Sequence, residues 1–390
     1  MNLPDKIEQP GTDKFSSARM FGTLLRDEAA KNPNFFLFSP DETMSNKLDA
    51  IFEATDRAWA EKTLPQDKYL QPDGRVIELL SENALFAMLA GHIFSGGQGA
   101  MTSYEGFFPI IASQLDQHLK FLAQSKDLPW RPDYAATNLL STSTCWRQDH
   151  NGFTHQNPTL ISSLLAKPNN LVNCLFPIDD IASAAAWEFM QDSRNVVNLA
   201  TFNKTDEPRW IDINHARFQL ISVGCSIFQF ISDPDPEIIL AAAGDIVSKE
   251  TIYAAQIAKQ ELPDLRLRFI GITALSYQAI GTTERKLNQQ DFNNYFTTDQ
   301  PIIANFHGYP ETLRSILTHY ANPDRLDVHG FEEQGSTTTP LDMLIRNRAS
   351  RFDLAIAIFN QAGRPDLAEK YQQKITENTE HIKLHGTDKY

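Results

Sequence analysis

Apolar positions recur along the chain in two rhythms. Short unbroken runs at residues 34–38 (NFFLF), 136–145, 171–176, 196–202 (VVNLATF), 237–243 (EIILAAA), 265–272 and 301–306 have the length of buried strands. Between them lie stretches with helical spacing: 75–94, 101–123, 182–190, 248–260 and the segment after Glu311. The spacing predicts one helix over 75–94 with a glycine-rich exit at 95–99, and a second, largely buried helix over 101–123. Asp41 or Thr43 is expected to cap a helix running through Ala50, and Ser248 one running to Gln260. Strands alternating with helices predict an α/β chain with two doubly wound, mostly parallel-sheet domains covered on both faces. The first twenty residues read as an arm, and the proline-bearing segment 231–236 (ISDPDP) as an entry to the second domain.

Length and charge narrow the partners. The 390 residues suffice for two domains with buried cores. Lys and Arg number 35 against 49 Asp and Glu, a net −14 that argues against nucleic acid or an anionic membrane as the main partner. A local basic pocket for a phosphorylated substrate stays compatible with that mean field. The three cysteines, Cys145, Cys174 and Cys225, lack metal-ligand spacing and read as small buried hydrophobes. No run approaches the ~20 apolar residues of a membrane span, and the start lacks a signal-peptide core, so a cytoplasmic protein is expected.

The densest chemistry lies in residues 146–158 (WRQDHNGFTHQNP), a polar stretch following a strand, where α/β proteins place ligands. Arg147, His150 and His155 suit phosphate, and Gln148 and Asn151 add neutral donors. The plainer alternative is that these side chains satisfy loop backbone. Taken alone, Glu82 reads as a solvated helix position, Lys204 as loop surface, and Ser45 and Lys47 as capping or surface residues. Residues 335–340 (GSTTTP) suit an anion cradle or a structural loop, with Glu332 and Glu333 beside them opposing free phosphate. Walker A, Rossmann and His-Glu-x-x-His patterns are not present in complete form.

Read together, five segments resemble the phosphoketolases acting on xylulose 5-phosphate and fructose 6-phosphate. They are Pro40-Asp-Glu-Thr-Met-Ser-Asn46, Leu80-Ser-Glu82, Ser103-Tyr104-Glu105, Trp146-Arg-Gln-Asp-His-Asn-Gly-Phe153 with His155-Gln156, and Glu332-Glu-Gln-Gly-Ser-Thr-Thr-Thr-Pro340 with Asp342-Met343. The resemblance implies a transketolase-like plan: an arm at 1–20, a pyrimidine-binding domain at 21–212 and a C-terminal domain at 213–390. It implies thiamine diphosphate as cofactor, with Glu82 on its aminopyrimidine nitrogen, favouring the imino tautomer that takes the thiazolium proton. Tyr104 and Phe107 match positions lining the cofactor. Ser45, Lys47, His150, Asn151 and Lys204 match the grip on the sugar phosphate, and Gln148 and His155 fall beside the reacting carbons and inorganic phosphate. The implied chemistry is ketose cleavage, dehydration of the two-carbon adduct and phosphorolysis to acetyl phosphate.

Departures from the pattern shape the expected assembly. Family members are roughly twice this long, and the half that precedes this region carries the diphosphate site with its magnesium or calcium. The chain is therefore expected to hold the pyrimidine end only, with no metal of its own, to need a partner chain bearing the diphosphate domain, and to be inactive alone. A homodimer or dimer of heterodimers follows by analogy. Asn83 and Phe86 stand where His and Glu are usual, Gly97-Gln98 where Arg-His is, Lys47 where Arg is, and Asn203-Lys204-Thr205 where Gly-Lys-Gln is common. Lys47 keeps charge but loses the bidentate fork. The alternative expectation is a non-catalytic, phosphoketolase-like binding or regulatory subunit.

Overall fold

A computed structural model of the chain describes residues 3–40, 42–146 and 152–390. They form two compact units, Met1–Thr144 with Lys167–Phe218, and Cys145–Ala166 with Gln219–Tyr390. The segment 145–166, read from sequence as part of the first domain, belongs to the second unit.

The first unit opens with β1 (Lys14–Ser16), α1 (Ser17–Lys31) and β2 (Phe35–Ser39). The short strands β3 (Arg57–Ala58), β4 (Leu70–Gln71) and β5 (Val76–Glu78) follow, then α2 (Glu82–Phe94), β6 (Gln98–Tyr104), α3 (Ala112–Lys126) and β7 (Thr137–Thr142). After contributing α4 (Thr159–Leu165) to the second unit, the chain returns as β8 (Val172–Leu175), α5 (Asp180–Asp192), β9 (Val197–Thr201), β10 (Asp206–Pro208) and α6 (Ile213–Ile221). Its strands lie in the order β8-β9-β7-β6-β2-β5-β3-β4, every neighbour parallel, while β1 pairs antiparallel with β10.

Burial on both faces explains the unbroken apolar runs: every residue of β7, β8 and β9 is buried. The amides among them are paired in a ladder. Asn173 Nδ2 donates to Asn198 Oδ1 at 2.9 Å, Asn198 Nδ2 to Asn138 Oδ1 at 2.9 Å, and Asn138 Nδ2 to Gln191 Oε1 at 3.1 Å. Asp179 caps α5, accepting from Ala182 N at 2.8 Å and from Trp210 N at 2.7 Å, and burial raises its carboxyl to about 7.

Three expected helices are corrected. Residues 75–94 split into β5 and α2, because Val76–Glu78 pairs with β2 and Ser81 then caps a fresh helix by accepting from Ala84 N at 3.3 Å. The stretch 101–123 begins as a strand, since Gln98–Tyr104 is held between β2 and β7, and helix resumes only at Ala112. After β2 no helix runs through Ala50. The chain makes one turn, Asn46 N to Glu42 O at 2.9 Å, which Lys47 ends at φ +59°, and a short 3-10 turn follows over Asp49–Glu53. Asp41, the other candidate cap, lies outside the described residues. Downstream, the helix assigned to a Ser248 cap starts earlier, at Asp245 behind Gly244.

The second unit adds β11 (Cys225–Ile227), β12 (Ile238–Ala243), α7 (Asp245–Glu261), β13 (Leu267–Ile272), the hairpin β14 (Ala274–Ser276) and β15 (Ala279–Ile280), and α8 (Gln289–Phe296). It closes with β16 (Ile302–Phe306), α9 (Pro310–Leu317), β17 (Leu326–His329), α10 (Pro340–Arg346), α11 (Arg351–Gln361) and α12 (Pro365–His385). The sheet order is β11-β13-β12-β16-β17, antiparallel only where β11 meets β13. Arg351, at the start of α11, is tied to the buried Glu250 of α7 through Nη2 at 2.6 Å and Nε at 2.8 Å. Cys145, Cys174 and Cys225 are all buried, and none of them forms a disulfide. Among the described residues no helix is long and apolar enough to cross a membrane.

Candidate functional site

Carboxyl ends of neighbouring parallel strands place the polar groups of the first unit together. β2 runs into the turn at 42–47, β5 into Ser81 and Glu82, β6 ends on Tyr104, and β9 leads to Asn203 and Lys204. The turn is fastened to the end of β7, where Thr142 Oγ1 donates to Asn46 Oδ1 at 2.6 Å.

Glu42 is the hub. One of its carboxylate oxygens accepts from Tyr104 N at 3.1 Å, and its backbone carbonyl accepts from Ser45 Oγ at 3.2 Å. The Ser45 and Tyr104 hydroxyls lie 3.1 Å apart. Lys204 Nζ donates to Ser45 O at 3.4 Å and sits 4.9 Å from the Tyr104 ring centroid, a cation–π contact. Ser16 Oγ donates to Lys204 O at 3.0 Å, fixing the lysine's backbone. Tyr104 and Phe107 form a nearly parallel ring pair, 6.1 Å between centroids and 13° between planes.

Burial raises the Glu42 carboxyl to about 8, and the nearby negative charge of Glu82 pushes the same way. The Tyr104 N–H and the Lys204 charge oppose this and are outweighed. Burial thus favours the protonated form of Glu42, which shares this polar end of the sheet with the Glu82 carboxyl. Glu82 is the first residue of α2, where helix N–H groups favour an anion.

Of the residues singled out by sequence, Glu82, Ser45, Tyr104 and Lys204 converge through Glu42, with Phe107 stacked on Tyr104. Lys47 lies on the same turn, half-buried. His155 belongs to the second unit, ending the turn Gly152–His155, its Nδ1 2.9 Å from Thr154 Oγ1. Gln148, His150 and Asn151 lie outside the described residues. Glu42 is the residue the sequence reading missed as a site member. It stands in the matched segment 40–46, but its partner Tyr104 is 62 positions away.

Within the second unit the two long motif runs meet. Trp146 packs edge-on against Phe331, with centroids 5.8 Å apart. Gly152 holds φ +67°, and a Cβ there would collide with Thr337, while a Cβ on Gly335 would strike Phe153. Both glycines are therefore close-approach points between the runs. Tyr309 bonds Glu333 through its hydroxyl, and Arg348 forms an ion pair with Glu332, so of the two acids beside 335–340 one is charge-paired and the other hydrogen-bonded. Phe86, one of the departures noted above, is fully buried against His118, with centroids 5.6 Å apart. Its apolar side chain fills core.

Residues 19–190 match the model of the D-xylulose 5-phosphate/D-fructose 6-phosphate phosphoketolase family, and residues 204–390 match the model of its C-terminal domain. A probable phosphoketolase of Nitrosomonas europaea is 36% identical over 406 residues, and one of Pseudomonas putida 36% over 389. The alignments take in 100% and 97% of this chain but 51% and 49% of those proteins, so the chain spans about half the length of the curated relatives it matches. Solved structures share the fold. The transketolase from Leishmania mexicana superposes with a TM-score of 0.66 at 15% identity, over 95% of this chain and 47% of that one. A chain described as a split gene transketolase, inactive β4 tetramer, has a TM-score of 0.60 at 12% identity, over 89% of this chain and 98% of that one. By motif, coverage and fold, the chain belongs to the xylulose 5-phosphate/fructose 6-phosphate phosphoketolase family.

Proposed function

We propose that this chain is the pyrimidine-binding and C-terminal half of a thiamine-diphosphate-dependent phosphoketolase, with those domains at 21–212 and 213–390. A partner chain supplies the diphosphate and metal site. The assembled enzyme cleaves xylulose 5-phosphate or fructose 6-phosphate with inorganic phosphate, giving acetyl phosphate and an aldose phosphate. The observation that carries this reading is the gathering of Glu82, the protonated Glu42, the Tyr104–Phe107 ring pair and Lys204 at one end of a parallel sheet. The likeness to a chain described as split-gene and inactive in its β4 state supports the partner requirement.

The groups at this end of the sheet fit the pyrimidine end of thiamine diphosphate: a carboxyl at a helix start and a flat aromatic pair. When bound, the cofactor supplies the carbon nucleophile that takes up the two-carbon unit. Glu82 offers an acceptor for a basic ring nitrogen that must carry a proton. Glu42, raised by burial to about 8, favours its neutral form nearby. Lys204 and Ser45, joined by Lys47, His150 and Asn151, are assigned to the sugar phosphate. His155 and Gln148 are assigned to proton transfer and phosphate at the reacting carbons. A homodimer or dimer of heterodimers is the proposed assembly, in the cytoplasm.

The test is a hydroxamate assay for acetyl phosphate, with thiamine diphosphate, magnesium, phosphate and either ketose phosphate. It is run on the chain alone, with a chain bearing the diphosphate domain, and with that chain plus Glu82→Gln. Product only in the mixture, lowered at least ~100-fold by the substitution, supports the split enzyme. Product from the chain alone refutes the partner requirement. Product that survives Glu82→Gln refutes the assigned role.

A further inference from the structure

Helix α12 ends in His381-Ile-Lys-Leu-His385, two histidines one helical turn apart at the C-terminal extremity. Their rings are apposed, with centroids 4.4 Å apart and planes inclined by 40°. His381 is half-buried and His385 exposed, so the gap between them opens to solvent.

We propose that His381 and His385 form a chelating site for a divalent late first-row transition-metal ion, Cu²⁺ or Ni²⁺ in character. The geometry sets the class. Imidazole nitrogens bind such ions at ~2.0–2.1 Å, which puts each ring centroid roughly 3.2 Å from the metal. Two rings on adjacent positions at a right angle would then have centroids about 4.5 Å apart, the spacing of square-planar or octahedral neighbours. The rings already stand at that centroid separation. Water completes the coordination shell.

The surroundings favour a cation and hold the site in shape. The last carbonyls of α12 put the negative end of the helix dipole beside the pair. Gly386 ends the helix at φ +69°, its N–H donating to Ile382 O at 2.8 Å. The tail then folds back: Lys389 N donates to Asn378 Oδ1 at 2.7 Å, and Asp388 Oδ1 accepts from Thr339 Oγ1 at 2.7 Å and Asn378 Nδ2 at 3.1 Å. This return brings Thr387 Oγ1 to 3.5 Å from His381 Nε2, so the half-buried ring is enclosed by anchored chain. The net charge of −14 enriches cations at the surface. The proposed ketose chemistry does not use these histidines, so the site stands apart from that reading.

The experiment titrates the full chain with Cu²⁺ by calorimetry and by electron paramagnetic resonance, alongside His381→Asn, His385→Asn and the double substitution. Expected is one tight site with two imidazole nitrogens in the spectrum. Either single substitution should weaken it by roughly 10-fold or more, since the second ligand otherwise adds intramolecularly. The double substitution should then fall little further. Unchanged affinity in either single variant, or a one-nitrogen spectrum of the unsubstituted chain, would overturn the site. The spectrum decides independently of how the variants fold.

Discussion

Tyr104 is tied to the Glu42 turn twice over: its backbone N–H donates to the Glu42 carboxylate at 3.1 Å, and its hydroxyl lies 3.1 Å from that of Ser45 on the same turn. A strand end and a turn 62 positions apart are thereby locked into one polar surface. The lock forces the Glu42 carboxyl out of water, and its acidity changes as a result.

Glu42 titrates at about 8, against 4.5 when unfolded. Between those values the folded chain holds a proton that the unfolded chain has released, so stability falls as pH rises from about 4.5 to about 8. The sign is that of a raised carboxyl, full benefit below the unfolded value and none above the folded one. Asp179, raised to about 7, and Asp353, raised to about 6, act in the same direction. Glu42→Gln mimics the neutral form. It should raise the melting temperature at pH 8.5 relative to the unsubstituted chain and leave it nearly unchanged at pH 5. Thermal scans across pH 5–9 check this, and an equal effect at both ends would contradict the assignment.

The amide ladder of β7, β8 and β9 should be costly to break. Asn198 both accepts from Asn173 and donates to Asn138 inside a fully buried sheet. Asn198→Ala removes one bond from each of two buried side-chain amides, a cost of roughly 2–6 kcal/mol at 1–3 kcal/mol per group. Urea unfolding gives the number, and a loss below about 1 kcal/mol would mean that water fills the gap.

How far these features were legible before the fold differs by element. The buried strands β2, β7, β8, β9, β12, β13 and β16 announce themselves as unbroken apolar runs, because a parallel sheet covered on both faces needs no polar side. Residues 75–104 were misread for the same reason: Val76-Ile77 and Gly99-Ala-Met101 are as apolar as the helix between them, and only pairing to β2 marks them as strands. Periodicity alone does not separate such segments. The roles proposed for Glu82, Tyr104 and Lys204 came from resemblance; taken singly, Glu82 read as a solvated helix position and Lys204 as loop surface, and Tyr104 carried no signal of its own. Glu42 escaped because the burial that raises its carboxyl, and the opposing Tyr104 N–H and reinforcing Glu82 near it, arise only once distant segments meet in space.

Glu250 and Arg351 join α7 to α11 through two side-chain bonds, and Glu250 Oε2 also accepts from Arg351 N at 3.0 Å. The carboxylate is buried while the guanidinium is about one-third exposed, 1% against 31%. Glu250→Ala strands the cation and the Arg351 N–H, a cost of about 3 kcal/mol. Replacing both partners by apolar residues, Glu250→Leu with Arg351→Met, removes the stranded charge and should recover most of that loss. Denaturant midpoints of the single and double variants separate the value of the pair from the penalty of half of it.

Lys204 offers the sharpest test of the assigned phosphate grip. Its ammonium is held over the Tyr104 ring and against Ser45 O, so it stands on the polar end of the sheet before any substrate arrives. Lys204→Met keeps the length of the stem and removes the charge. A charge-assisted contact to phosphate is worth about 1.5–3 kcal/mol, which predicts a rise in KM for the sugar phosphate of roughly 10- to 100-fold. Because the phosphate stays remote from the bond that breaks, kcat should change far less. Tyr104→Phe removes the hydroxyl near Ser45 but keeps the ring under the ammonium, and should shift KM by only a few-fold. Both are measured in the two-chain mixture with xylulose 5-phosphate. A Lys204→Met enzyme that loses kcat while keeping KM would place the lysine at the reacting carbons instead.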